Sequence, residues 1–454
     1  MVDGYVLLCK KKEVTAMVLI VLFFLVLLLL LIVYNVFNKD FMSPSFLLVA
    51  GYLLSIGSTL YNIRDWNVSI GIKTFLIYFV GMLAFVAGEA LIKTRAAKNR
   101  RTSKMQEVEY ISVNRWKYFL VICACVFVLI LTYREVVRIA NLNFASWGNL
   151  AYNYKTNVIN GDLEGSSLSS LVQQANKFTK GFAFVFLYIF INNFFADKNH
   201  REHRKNWINL IPGILFAIQC VIKGGRFQIV AYIISAVFLY YFFWKKSTGW
   251  SEVVPIKYLM RVIIGIVIVV MAFWFSRELV GRMSKDNDLM GYVTRYFGGG
   301  AALMELYLRD TSMLHDAAVE TFAGMVTSLN KLGFTLTARA SHEFRAAAGI
   351  TIGNAYSALR NYYHDYGIMG VAFFNFLLSC IFSSKYYKLK SYTYITYNKA
   401  FSIILYATLI YTVFFQFFTD YFFARLSIGF IIELLIMRIC FWFTVKLKIS
   451  IGRR

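Results

Sequence analysis

Charge is scarce in this sequence: 16% of its 454 residues are Asp, Glu, Lys or Arg, where an ordinary soluble chain carries roughly a quarter. That supply cannot clothe the two or three water-soluble domains this length would otherwise imply. Proline is nearly absent, at Pro44, Pro212 and Pro255, and no internal repeat is visible; both absences argue against the repeated, broken helices of transporters. Alternating ten-residue segments, which an outer-membrane barrel needs, are also missing. None of the six cysteines (Cys9, Cys123, Cys125, Cys220, Cys380 and Cys440) falls in a long loop where an oxidising compartment would pair it. Cys123 and Cys125 point apart on a helix, so all six read as small core residues.

What is present is apolar. Hydrophobic residues make up 59% and aromatics 18%, and mean hydropathy is +0.57. Runs such as 14–37, 119–132 and 262–275 are apolar on every side, which a helix tolerates in lipid. The fold class expected is all-α: a polytopic transmembrane helical bundle of about eleven spans, near 14–36, 46–62, 72–92, 117–133, 179–195, 207–223, 227–244, 259–275, 367–383, 400–418 and 426–445. Residues 1–275 then form eight spans with an outer loop near 134–178, residues 276–366 a large outer loop, and 367–454 three further spans. Lys10, Lys11 and Lys12 precede the first span like a signal peptide's basic region. Its long apolar core, with no small-residue cleavage site after it, reads as an uncleaved anchor.

Basic residues give the bundle a direction. Segments 93–117, 196–207, 245–261, 383–399 and 446–454 carry 24 Lys and Arg against five acids, and by parity all lie on one side, the cytoplasmic one. The opposite segments hold 17 basic and 13 acidic residues. The +24 net charge is thus chiefly a topology signal. Short Lys-rich segments without a binding module exclude nucleic acid as partner and point to anionic membrane lipids. Lys10 to Lys12 disobey the pattern, because eleven spans place them outside.

Connections in bundles are short, so the loop at 276–366, roughly ninety residues, is where function is expected. Within it 301–307 and 317–332 mix polar and apolar residues at helical spacing, which predicts amphipathic helices on the bundle or in the interface. Its bases are seven Arg and two Lys, a choice that suits bidentate recognition of phosphate or carboxylate. Arg339, His342 and Arg345 fall three apart, predicting one face of a helix that Gly349 stops; a solvated amphipathic helix with arginines on Glu343 or lipid phosphates explains the same pattern. Arg360, Tyr363, His364 and Gly367 share the next face, with Asp365 beside His364 for proton exchange, or else as an interfacial aromatic belt. Lys223-Gly224-Gly225-Arg226 joins two spans, where the glycines let backbone N–H groups approach an anion, though a snorkelling Arg226 in a plain hairpin is as good a reading. Asp286-Asn-Asp288 is a weak DxD, better read as a loop or cap. His200, His203 and His315 lack metal-ligand spacing. Glu89, Glu433 and Arg438, within apolar runs, read as structural.

Ser43-Pro44 opening the second span, the Gly-Gly-Arg226 turn, and Asn354-Ala-Tyr followed by Asp365-Tyr-Gly367-Ile-Met-Gly370 resemble the Wzy-type O-antigen (oligosaccharide repeat-unit) polymerases. The resemblance extends over nearly the whole chain through span order and the long penultimate outer region. It implies a multi-pass enzyme of the bacterial inner membrane, acting at the periplasmic face. Such an enzyme transfers a growing glycan from undecaprenyl diphosphate to a new lipid-linked repeat unit, with no cofactor or metal. Undecaprenyl-diphosphate-linked oligosaccharide and membrane lipids are its partners, and a chain-length regulator is a further one left open. Arg226, Arg339, Arg345 and Arg360, with Gly224 and Gly225, are then candidates to hold the diphosphate or glycan. His342, His364 and Asp365 are candidates for the base that deprotonates the acceptor, with Glu305 and Glu343 behind them. An O-antigen ligase, a flippase for the same lipid-linked sugar, and a noncatalytic scaffold are the alternatives.

Overall fold

The computed structural model describes residues 2–97, 108–141, 150–160, 167–197, 203–250, 254–255, 260, 271, 289–310, 312, 317–339 and 341–446. Helices dominate: α1 (Val2–Val36), α2 (Pro44–Trp66), α3 (Ile72–Ala97), α4 (Arg115–Ala140), α5 (Leu150–Asn160), α6 (Ser170–Ala196), α7 (Ile211–Ile222), α8 (Arg226–Ser247), α9 (Leu289–Arg309), α10 (Ala323–Asn330), α11 (Ala358–Lys390), α12 (Tyr397–Leu409) and α13 (Ile428–Phe441). Among the described residues nine helical segments are long and apolar enough to cross a membrane: α1 from Met17, α2, α3, α4, α6, α8, α11, α12 with its following turns, and α13 with its last turn. The chain is a multi-pass helical membrane protein. Of the other two expected spans, 207–223 is a shorter apolar helix, Trp207–Ile222, and 259–275 lies almost wholly outside the described residues.

The chain divides into two compact units. The first comprises Met1–Arg101, Asp286–Lys390 and Leu409–Ile431, the second Thr102–Lys285, Ser391–Thr408 and Ile432–Arg454. The large-loop segment therefore groups with the first three spans.

In the first unit α1 and α2 run antiparallel, with the Phe23 ring over Gly57 and Tyr34 near Phe46. Ser43 caps α2, accepting from the Phe46 N–H, and Pro44 occupies its first position, the place where a missing N–H costs nothing. Gly88 of α3 lets α11 approach until a Cβ there would lie 2.8 Å from that of Ser379. The helix ends sort into two sets. At one, Lys390 and Tyr386 bind Asp40, Tyr387 and the Ser45 N–H bind Glu89, and Lys93 reaches Asn38. Glu89 is thus fully buried and satisfied, as a structural role requires. At the other, Glu305 accepts from the Gly71 N–H and the Thr74 hydroxyl at 2.8 and 2.6 Å.

Two local expectations are corrected here. The stretch 301–307 is helical but does not lie on a surface: α9 buries Gly298 through Glu305, and Gly298 brings its backbone against Ser58 and Thr59 of α2, where the Thr59 hydroxyl donates to its carbonyl at 2.7 Å. The lack of a side chain at Gly298 permits that approach, while Gly299 faces Ile352 and Gly300 the Phe417 carbonyl. Second, Arg339 to Gly349 forms no helix. Arg345–Ala347 (β1) pairs antiparallel with Ile350–Gly353 (β2), so the protein is not purely α. The two-residue loop has Ala348 at φ 49° and Gly349 at φ 74°, the doubly left-handed geometry that matches strand twist. A register irregularity next to Arg345 accompanies Ile352, which is buried against Gly299. That apolar anchor outweighs the helix propensity of three alanines.

Helix α11 changes direction at Gly367 (φ 61°, ψ −157°), a conformation essentially restricted to glycine. A Cβ there would meet nothing within 4 Å, so geometry rather than space selects the residue. Its first turns form part of the candidate site; its remainder is membrane span.

In the second unit, Gly224 (φ 63°) and Gly225 close α7, their N–H groups donating to Val221 and Cys220 at 2.8 Å each. This is a helix-terminating turn, and it occupies the N–H groups expected to face an anion. Arg226 is buried at the start of α8. Lys180 and Glu433 pair at 2.8 Å, and Arg438 lies over Tyr397 and Phe401 while donating to Asn398.

A Gly298→Val substitution would place its Cβ within 2.6–2.8 Å of the Ser58–Thr59 backbone, an overpacking that costs about 1–3 kcal/mol or more. The expected result is a lower unfolding midpoint in detergent with loss of monodisperse protein, read by size-exclusion chromatography after graded heating.

Candidate active site

Arg360 is the hub. It lies on the first turn of α11 with its side chain wholly buried, and a guanidinium never gives up its proton, so its charge must be met in place. Nη1 and Nη2 donate to the two oxygens of Glu343, each at 2.9 Å, in the bidentate manner that suits a planar fork. Nη2 also donates to Glu320 Oε1 at 3.0 Å. The Tyr307 and Tyr356 rings flank Cζ, with centroids at 4.4 and 4.1 Å, so the faces of the cation are covered by π density.

Around this hub the predicted residues converge. Arg339 donates to Glu320 Oε1 at 3.0 Å. Arg345 donates to Glu343 at 2.9 Å, to Asp310 at 2.8 Å and to the Leu306 carbonyl at 3.1 Å. Tyr356 donates to Glu343 at 2.9 Å. Three guanidinium groups thus face three carboxylates, Asp310, Glu320 and Glu343. Arg339 and Arg345 keep 16% of their side-chain surface open, whereas Arg360 and Glu320 keep none.

His342 meets Asn361 Oδ1 through Nε2 at 3.1 Å. Asn361 donates its own amide to the Glu320 carbonyl, so Oδ1 is the acceptor and Nε2 carries the imidazole proton. Nδ1 then presents a lone pair 3.7 Å from Glu320 Oε1 and makes no hydrogen bond; neither does Glu320 Oε2. Burial, reinforced by Arg360, pushes His342 down to about 3. Burial pushes the Glu320 carboxyl up to about 7, against the pull of Arg360. Burial would raise Glu343 too, but the hydrogen bonds and charge of Arg360, with Arg345, hold it at about 2. Two carboxyls on one cation are thereby set apart, one permanently ionised and one poised near neutrality.

The other two predicted groups are here as well, in positioning roles. His364 donates from Nε2 to the Ala318 carbonyl at 3.1 Å and accepts the Tyr307 hydroxyl at Nδ1, 2.8 Å away. Asp365 accepts the Glu320 and Thr321 N–H groups at 3.1 and 2.7 Å. Together they grip residues 318–321 and hold Glu320 under Arg360. Glu305 is engaged with Gly71, Thr74 and Arg309. Gly224, Gly225 and Arg226 belong to the second unit. Asp286, Asp288, His200 and His315 lie outside the described residues, as do the side chains of Cys9 and His203. Of the cysteines with described side chains, Cys125, Cys220 and Cys440 are buried, Cys380 is half-buried and Cys123 is exposed.

Glu320 is the member of the cluster that sequence reasoning missed. It sits in a segment expected to be an amphipathic helix, where an acid reads as a solvated face. It precedes α10, in an extended segment whose neighbour Val319 bridges Ala338 in parallel fashion. A lone acid between Val319 and Thr321 was the available signal. Searches against protein-family models, curated proteins and solved structures find no match for this chain.

Arg360→Met keeps the volume but strands Glu320 and Glu343 beside each other. Breaking a buried pair from one side costs about 3–5 kcal/mol. Adding Glu320→Gln and Glu343→Gln should restore much of the loss, measured as recovery of the thermal unfolding midpoint in detergent.

Proposed function

We propose that the chain is a Wzy-type polymerase, a membrane glycosyltransferase that lengthens a lipid-diphosphate-linked glycan at the outer face of the bacterial inner membrane. The observation that carries this reading is Glu320: a carboxyl buried among arginines, poised near pH 7, with Oε1 held by Arg339 and Arg360 near a neutral imidazole and Oε2 without a hydrogen bond. That is the equipment of a general base. Its place also fits, since the cluster belongs to the set of helix ends opposite Lys93 and Lys390, the end that the basic-residue rule assigns to the cytoplasm.

In this reading Glu320 Oε2 takes the proton of the acceptor hydroxyl as that oxygen attacks the anomeric carbon of the donor sugar. The bond from that carbon to the diphosphate oxygen breaks, and the lipid diphosphate leaves with the electron pair. Protonating Glu320 removes one of the three carboxylate charges. Arg339 and Arg345, each 16% exposed at the rim of the cluster, are placed to meet the charge that develops on the leaving group. Arg360 positions both carboxyls through its hydrogen bonds to Glu343 and Glu320. His342 holds the proton-accepting side of the site through Asn361.

Glu320→Gln in proteoliposomes supplied with lipid-linked repeat units should lower chain extension at least ~100-fold, the scale of general-base removal, while the protein remains in the membrane. Undiminished ladders would remove Glu320 from the chemistry. Extension by the unaltered protein, with no other enzyme and no lipid A core present, separates polymerase from ligase and flippase.

The pH dependence follows from the same residue. The base is the ionised form, so the rate should rise with pH through about 7. Glu343, held at about 2, and His342, at about 3, do not change form there. A flat rate–pH profile across neutrality would contradict the assignment.

A further inference from the structure

Between α10 and the segment that carries Arg339, the chain makes a tight loop at 331–336 whose large side chains face outward. Leu332 is 66% exposed, Phe334 57% and Leu336 47%. Three such residues in water would favour collapse onto the protein, yet the loop is built to prevent it. The Asn330 amide donates to the Leu336 carbonyl at 2.8 Å and accepts the Leu336 N–H at 3.0 Å. The Gly333 N–H donates to Asn330 and the Phe334 N–H to Leu329. Gly333, at φ 102°, supplies a backbone turn that an L side chain would strain. The frame is polar and closed, and what it presents is apolar.

Its location says what covers it. Helix α10 is fastened to the beginning of a candidate span. The Gly324 N–H donates to the Ala424 carbonyl at 3.0 Å, and the Ile428 N–H donates to Ser328 Oγ at 3.2 Å, so Ser328 caps the first residue of the segment Ile428–Lys446. The start of a span lies at the bilayer surface. Ile428 and Ile431, 47% and 58% exposed, continue the apolar surface down that span. Lys331, exposed beside them, can keep its ammonium at phosphate level while its stem lies along lipid.

We propose that 331–336 is a lipid-binding finger, with Leu332, Phe334 and Leu336 in the acyl region of the leaflet around Ile428 and Lys331 at the headgroup phosphates. The finger is continuous with the candidate active site. The Val319 N–H donates to the Thr337 carbonyl and the Arg339 N–H to the Val319 carbonyl, both at 3.0 Å, so one short ladder joins the loop to Arg339 and Glu320. Immersion of the finger thereby fixes the height of that site above the lipid. This placement does not depend on the polymerase reading, and it is tested without activity.

In a variant lacking the native cysteines, Phe334→Cys is labelled with an environment-sensitive fluorophore and the protein is reconstituted in phosphatidylglycerol-containing vesicles. The expected result is blue-shifted emission, quenched several-fold more by lipids spin-labelled on the acyl chain than by aqueous iodide. Strong iodide quenching with no effect of the spin-labelled lipid, as a water-exposed or protein-docking loop would give, overturns the proposal. Leu332→Cys supplies the same measurement should the first variant fail to fold.

Discussion

A fully buried guanidinium has to be neutralised where it stands, and much of one end of the first unit is organised by that requirement at Arg360. Glu343 and Glu320 neutralise it, Tyr307 and Tyr356 cover its faces, and each of those groups is held in turn by something else: Arg345, Arg339, His364, Asp365 or Asn361. The two carboxyls do not share the charge equally. Glu343 takes two short bonds and stays ionised, whereas Glu320 takes one from Arg360, one from Arg339, and retains a deprotonation cost. Unequal sharing of one cation is how two similar side chains a few ångströms apart acquire different acidities.

Much of this was legible in sequence, and the part that was not has a physical cause. Long apolar runs have one solution in lipid, so nine of the eleven expected spans could be read directly. The preference for Arg in that segment marked Arg339, Arg345 and Arg360, and the Asn354-to-Gly370 stretch marked the turn that carries Arg360, His364 and Asp365. The hairpin at Arg345–Gly353 was hidden because alanine favours helix locally while the deciding contact, Ile352 on Gly299, spans more than fifty positions. Glu320 was hidden for a related reason: an acid with its two arginines 19 and 40 residues away in sequence has no local signature. Side-chain spacing along a helix likewise grouped Arg339 with Arg345 correctly, but by a route the backbone does not take.

The burial of α9 changes the meaning of the long segment 276–366. A segment that ends in the site but packs its glycine-rich middle along α2, and ties Glu305 to the turn before α3, is continuous with the membrane part of its unit. The cluster is therefore carried on helices held together by close packing and hydrogen bonds. Lys93 and Lys390 gather with Asp40 and Glu89 at the far ends of the same helices.

Bilayers differ in thickness, and a long span answers by tilting. In a straight α11 any tilt of the lipid-embedded part would swing Arg360 out of its cage, because one rod carries both. The glycine at 367 makes two levers of that rod. The two parts need not share one axis: hydrogen bonds to Glu320 and Glu343 hold the turn that carries Arg360, while close packing of Ser379 on Gly88 of α3 holds the remainder.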